Sequence, residues 1–271
     1  MTLERRRMIE ALLASRGGCT VENLARTCGV SDMTIRRDLE ALSAAGKVVR
    51  THGGAVPRDR VLFEFEFLNR SKINDVAKCQ IAQTADKLIP DGSTLLMDSG
   101  TTTLALARAL QDRKNLTVIT TSLPVAATLQ HAPSIRTILL GGVLQQDSPD
   151  LLGAITETNL ESLRSDLAFI GADAIALNGD VYHRSPDVAR MLAKMAAAAA
   201  AVYVLADHSK IGKTALMRCG HLGQWRGLIT NRDLPSTSQN SLAKAGVNVI
   251  LADASVTTTS FADENDSCDS P

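Results

Sequence analysis

The chain lacks the apolar run that a membrane demands. No uninterrupted apolar stretch in its 271 residues reaches the roughly 18 of a spanning helix, and the start, Met1-Thr2-Leu3-Glu4-Arg5-Arg6-Arg7, enters an amphipathic pattern rather than a signal-peptide core. No membrane partner is expected, and the cytoplasm is the default. The five cysteines (Cys19, Cys28, Cys79, Cys219, Cys268) are odd in number and form no Cys-x-x-Cys, which excludes a disulfide framework and a zinc ribbon. The five histidines (His52, His131, His183, His208, His221) contain no His-x-x-x-His pair, so neither a metal nor a cofactor is expected. An excess of either charge is also missing, since 29 basic residues balance 29 acids.

Hydrophobic residues make up 45% of the chain and charged residues 21%, the usage of an ordinary globular protein. Its length favours two domains, or one large domain with a small appendage. The balanced charge conceals an asymmetry. Residues 1–60 hold eleven basic residues against seven acids, whereas the remainder holds eighteen against 22. A basic excess confined to one terminal segment is a nucleic-acid cue, although charge alone also fits a solvated face.

That segment reads as three short helices. Ile9, Leu12 and Leu13 give helical spacing to a first, over about Leu3 to Ser15, ended by Gly17-Gly18. Thr20 caps a second, Val21 to Cys28, and Gly29 permits the left-handed turn that stops it. Ser31 caps a third, Asp32 to Ala44, whose buried stripe is Ile35, Leu39 and Leu42 and which Gly46 closes. Lys47 to Val56 then forms a β-prone run with a Gly-Gly turn, read as a two-stranded wing. Residues 1–57 are thus a winged helix-turn-helix domain. The N-terminal turn of a recognition helix reaches base edges, which selects Met33, Thr34 and Arg37 there, with Arg36, Arg50 and His52 nearer the phosphates and the cap Ser31 a further DNA-binding residue.

The run from Ser31 to Leu42, followed by Gly46-Lys47-Val48-Val49-Arg50-Thr51-His52-Gly53-Gly54-Ala55, resembles the DNA-binding signature of DeoR-type bacterial transcriptional regulators. That resemblance extends at lower density to Asn231. It implies a repressor of a carbohydrate operon, with a C-terminal sensor domain related to sugar-phosphate isomerases.

Residues 58–70 read as a linker in which Phe63, Phe65 and Phe67 alternate with glutamates. From Ser71 helices and strands alternate: helix 71–89, strand 93–97, helix 102–110, strand 116–120, helix 123–130, strand 135–140. After a hairpin-like stretch come helix 155–164, strand 167–171, helix 186–200, strands 202–206 and 226–230, helix 236–245 and strand 247–251. Such alternation predicts an α/β domain over 71–256, with a mostly parallel sheet covered on both faces. The acidic tail 257–271 reads as disordered.

Ligand crevices of open parallel sheets lie beyond the carboxyl ends of the strands. The first such end is Asp98-Ser99-Gly100-Thr101-Thr102-Thr103, where hydroxyls and a glycine precede a helix N-terminus, chemistry suited to phosphate. This loop carries no Gly-Lys-Ser/Thr, so nucleotide hydrolysis finds no support in it. Other ends contribute Thr121, Gly141, Gly142, Asp173, Asp207, His208, Ser209 and the cation Lys210. Together they match a polyol bearing a phosphate. The stretches Asp98 to Thr102, Gly141-Gly142, Gly153 and Asp207 to Gly212 also resemble the family's effector-domain motifs. The chain departs from the family at Thr120-Thr121, where Thr-Asn is usual, and at Ser185-Pro186-Asp187-Val188, both placed where a sugar would sit.

The expected function is a repressor that holds double-stranded operator DNA as a homo-oligomer, dimer or tetramer, under the control of a phosphorylated sugar, with no catalytic residue. Two alternatives stand beside it. One is a sugar-phosphate isomerase-like enzyme using Lys210 with Asp98 or Asp207 as acid and base. The other is an architectural DNA-binding protein, which has no need of so many polar strand ends.

Overall fold

The computed structural model describes residues 2–16, 18–51, 53–57, 67, 70–145 and 148–253. His52, most of the linker with Phe63 and Phe65, and the tail lie outside the described residues. The chain divides into two compact units, Met1–Arg70 with Gln146–Ser148, and Ser71–Gln145 with Pro149–Pro271.

The first unit contains α1 (Thr2–Arg16), β1 (Cys19–Thr20), α2 (Val21–Cys28), α3 (Asp32–Ala44), β2 (Val48–Thr51) and β3 (Gly54–Pro57). The side chain of Thr20 accepts the Asn23 amide at 3.2 Å, and Gly29, with φ of 65°, ends α2 in the left-handed conformation. Ser31 accepts the Thr34 amide at 3.4 Å and starts α3. At the far end the amides of Gly46 and Lys47 return to the carbonyls of Ser43 and Leu42, a Schellman closure. Ile9, Leu13, Leu24, Ile35, Leu39 and Leu42 make the core. The wing is three-stranded rather than two-stranded, because β1 pairs with β3 and places the order at β1-β3-β2.

One polar residue is built into this core. Asp38 lies on the buried face of α3 and receives Arg5 Nε at 2.6 Å and Arg6 Nε at 2.9 Å, tying α1 to α3. Burial would raise its carboxyl pKa, but the two guanidiniums outweigh burial and hold it below the usual carboxylate range.

The second unit contains α4 (Asp75–Asp86), β4 (Thr94–Met97), α5 (Thr101–Ala109), β5 (Leu116–Thr120), α6 (Leu123–Leu129), β6 (Ile135–Leu139), β7 (Val143–Leu144), β8 (Leu151–Leu152), α7 (Ala154–Glu161) and β9 (Ser165–Ile170). It continues with β10 (Ala174–Ile175), β11 (Asp180–His183), α8 (Pro186–Ala197), β12 (Ala199–Leu205), β13 (Met217–His221), β14 (Gly227–Thr230), α9 (Ser236–Lys244) and β15 (Val249–Leu251). Seven strands form one sheet in the order β15-β14-β12-β9-β4-β5-β6, and every neighbouring pair is parallel. Leu95, Met97, Val118, Phe169, Ile170 and Val204 are fully buried, as strands covered on both faces require.

Two regions differ from the sequence reading. The alanine run 196–201 has helical propensity, yet α8 stops at Ala197 and β12 begins at Ala199, because Ala199 and Ala201 pair with Ser165 and Leu167 of β9. Sheet pairing overrides propensity there. A small antiparallel sheet, β10-β11-β13, also occupies stretches without a clear period.

The Asp38 clamp yields a test. Its folded pKa lies below the unfolded value of about 3.9, so its stabilisation is complete above that pH and fades as pH falls through the folded value. Asp38→Ala should cost about 1–3 kcal/mol, seen as faster amide exchange in α1 and α3 at pH 7. Exchange rates matching wild type would show that the clamp contributes nothing.

Candidate DNA interface and ligand site

The capped start of α3 is open to solvent. Ser31, Met33, Arg36 and Arg37 are exposed and Thr34 half-buried, with the hydroxyls of Ser31 and Thr34 at 3.0 Å from one another. Met33, an apolar side chain, is 61% exposed. Arg50 on β2 reaches Glu40 at 3.2 Å in an ion pair exposed on both sides, which holds the guanidinium only weakly. Arg5 and Arg6, read from sequence only as part of a basic terminus, instead position the recognition helix through Asp38.

In the second unit the parallel register brings the strand ends to one edge. The amide of Asp98 continues the β4 pairing onto Phe169 O at 3.2 Å, which carries its carboxyl to the end of β9. There Oδ2 accepts the Gly171 amide at 2.8 Å. The hydroxyl of Thr103 donates to Gly100 O at 2.9 Å and Asp98 O at 3.2 Å, so it braces the loop from within. Ser99 Oγ is buried without a hydrogen-bond partner among the described residues, and Thr102 and Thr121 are buried. Burial, reinforced by Asp150 and Asp173, pushes the Asp98 carboxyl up to about 7 against the opposing Gly171 and Thr103 hydrogen bonds.

Asp173 behaves oppositely. Burial would raise its pKa, but His183 Nε2 at 3.2 Å and the amide and side chain of Arg184 hold it below the usual range. Asp207, at the end of β12, is likewise buried yet lowered, by Ser209, by Asn74 Nδ2 at 3.0 Å and by the charge of Lys210. Lys210 stands half-buried in a single 3₁₀ turn, His208–Lys210. Asn231, at the end of β14, fixes that turn by accepting the His208 amide at 2.8 Å and facing His208 Nδ1.

Sheet order decides which residues meet. Asp98, Gly171 and Asp173 follow the adjacent strands β4 and β9. Lys210 and Asp207 lie two strand positions from Asp98, roughly 10 Å at a strand spacing of about 4.8 Å. Gly141 and Gly142 follow β6, four positions from β12, and pack on α7, where Thr156 Oγ1 donates to Gly141 O at 2.7 Å. Sequence reasoning missed Asn74, Asn231, Asp150 and Lys78. Lys78 is buried on α4 with Nζ donating to Ile73 O at 2.6 Å. The signal available was a lysine on the face of α4 that buries Ala77, Ile81, Ala82 and Ala85.

A winged helix-turn-helix with an exposed, capped recognition helix, followed by a parallel α/β domain with polar strand ends, defines a DNA-binding regulator with a sensor domain. Residues 5–61 match the DeoR-like helix-turn-helix domain and residues 73–232 the DeoR C terminal sensor domain. The chain belongs to the DeoR family. It is 31% identical over 240 residues to the HTH-type transcriptional repressor CsqR of Escherichia coli K12, covering 89% of this chain and 92% of that one. It is 29% identical over 252 residues to the glycerol-3-phosphate regulon repressor of Haemophilus influenzae, covering 93% and 98%. Among solved structures, ribose 5-phosphate isomerase A from Methanocaldococcus jannaschii aligns at 21% identity and a TM-score of 0.39, over 51% of this chain and 55% of that one. No described helix is long and apolar enough to cross a membrane.

The Asn231 hub gives a second test. Its amide is buried and serves His208 and Asp233, so Asn231→Ala should cost about 1–3 kcal/mol. Urea unfolding followed through Trp225, the one tryptophan, measures this, and an unshifted midpoint would show that the turn is held by other contacts.

Proposed function

We propose that this DeoR-family regulator represses a carbohydrate-utilisation operon, and that a phosphorylated sugar or sugar derivative at the strand ends of its second unit changes its hold on operator DNA. It acts in the cytoplasm as a homo-oligomer, since one winged unit covers few base pairs and paired half-sites supply affinity. The observation that carries the reading is the exposed N-terminal half of α3. Arg36 and Arg37 project there with no ion pair to a described residue, on a helix whose N-terminus is already capped by Ser31.

Effector control is supported by the polar groups gathered at one sheet edge. Ser99 and Gly100 stand before α5, Thr101 to Thr103 form its first turn, and Lys210 supplies a cation two strands away, a span suited to a small phosphorylated polyol. The names of the relatives fit, because they include a glycerol-3-phosphate regulon repressor and a lactose phosphotransferase system repressor. An isomerase-like reading needs Lys210 beside a proton-carrying carboxylate. Asp207, its neighbour, is held ionised, and Asp98 is two strands off.

Two measurements test this. With an operator duplex selected from random sequence, Arg37→Ala should weaken binding by about 1–3 kcal/mol, and Arg36→Ala should reduce the slope of affinity against salt by about 1. Unaltered affinity in the folded Arg37 variant removes that residue from the interface. Lys210→Ala and Thr101→Val should each abolish the response to sugar phosphates while operator affinity stays within about twofold, and a normal response in both contradicts the phosphate assignment.

A further inference from the structure

The second inference rests on the effector reading and concerns how the site holds its ligand. Asp98 is 5% exposed, and its two carboxyl oxygens are unequal. Oδ2 is committed to the Gly171 amide, while Oδ1 is buried with no hydrogen-bond partner among the described residues. A buried oxygen without a partner is costly unless something arrives to satisfy it.

Two glycines flank this carboxyl. A methyl group added to Gly171 would come to 3.5 Å from Oδ2 and 4.0 Å from Oδ1, ordinary contact distances. One added to Gly100 would come to 3.8 Å from Oδ1 and 3.2 Å from Thr103 Oγ1. Neither glycine has a left-handed backbone, so the fold itself does not demand glycine at Gly171 or Gly100. Two glycines therefore keep side chains off this carboxyl.

The charges around it set its ionisation. Asp150, before β8, and Asp173, after β9, both act against a carboxylate at Asp98. His183 and Arg184 offset Asp173 and keep it ionised. On β13, the Cys219 thiol donates to Val181 O at 3.3 Å and is held up to about 11 by burial, hence neutral. No cationic side chain bonds Asp98 among the described residues. A phosphate dianion on Ser99 to Thr103 adds still more negative potential beside Asp98 and further favours its neutral form.

We propose that Asp98 binds the effector as the protonated acid, donating from Oδ1 to an oxygen of the phosphorylated ligand, so that ligand binding takes up a proton from solvent. The proton sits on Oδ1 because Oδ2 is already an acceptor. Asparagine mimics this state, with its carbonyl toward Gly171 and its amide N–H toward the ligand.

Calorimetry on the full-length protein tests the proposal, with glycerol 3-phosphate and inorganic phosphate as probes. Between pH 7.5 and 8.5 both probes are mostly dianions, so a change in affinity reports on the protein. Wild type should lose about tenfold in affinity across that unit and show net proton uptake in buffers of different ionisation enthalpy. Asp98→Asn should bind at least as tightly as wild type does at pH 7.5 and stay within about twofold from pH 7.5 to 8.5. Gly171→Ala, with wild-type circular dichroism and Trp225 fluorescence, should bind at least tenfold more weakly. Affinity of wild type that holds or rises from pH 7.5 to 8.5, or a folded Asp98→Asn variant more than tenfold weaker than wild type at pH 7.5, overturns the donor role and leaves the effector reading standing. Failure of wild type to bind either probe at any pH overturns the effector reading, and this proposal with it.

Discussion

Parallel pairing of the seven strands is the constraint on which the second unit depends. A parallel register sends every strand's carboxyl end to one edge, so each chain reversal after a strand must be solved there. The strand interiors, Leu95, Met97, Val118, Phe169 and Val204, are sealed by covering layers on both faces. Polar chemistry is left to the ends. Asp98 after β4, Thr121 after β5, Asp173 after β9, Asp207 after β12 and Asn231 after β14 therefore line the same end of the sheet although far apart in sequence. What divides them is electrostatics. Asp173 and Asp207 are supplied with donors and stay ionised, whereas at Asp98 burial and two like charges outweigh the Gly171 amide and the Thr103 hydroxyl.

The first unit solves a different problem, the presentation of one helix. Its caps satisfy both ends of α3, and the Asp38 clamp fixes its rotation by joining α1 to its inner face. Rotation matters because a turn of the helix by one residue would bury Arg36 or Arg37 and expose Ile35 or Leu39. The arginines stay outward because Asp38, Ile35 and Leu39 are held inward.

Local grammar was legible in the sequence. Thr20, Gly29 and Ser31 are caps and stops with a fixed stereochemistry, so α2 and α3 fall where those residues place them. Apolar runs bounded by polar residues marked the parallel strands for the same reason. The two-residue β1 has no period to detect, and the β10-β11-β13 sheet is too short and mixed in polarity to announce itself. The alanine run misplaced one boundary because propensity is local and pairing with β9 is not. Within the site, Asp98, Asp207 and Lys210 were readable from their position after strands. Asn74 was not, since its bond to Asp207 spans 133 positions, and neither was the Arg5 and Arg6 clamp on Asp38. Gly141 and Gly142 looked like part of the same loop cluster, yet sheet order puts them four strands from Lys210.

The central claim is a division of labour, with DNA held by one unit and a phosphorylated ligand by the other. Amide hydrogen exchange on the full-length protein, alone, with operator duplex, and with a panel of sugar phosphates, tests it most directly. Operator should protect residues 31–37 and the wing 48–57, and an active sugar phosphate should protect 98–104 and 207–212. Protection of 31–37 by a sugar phosphate in the absence of DNA, or of neither strand-end segment by any phosphorylated sugar, would contradict the account.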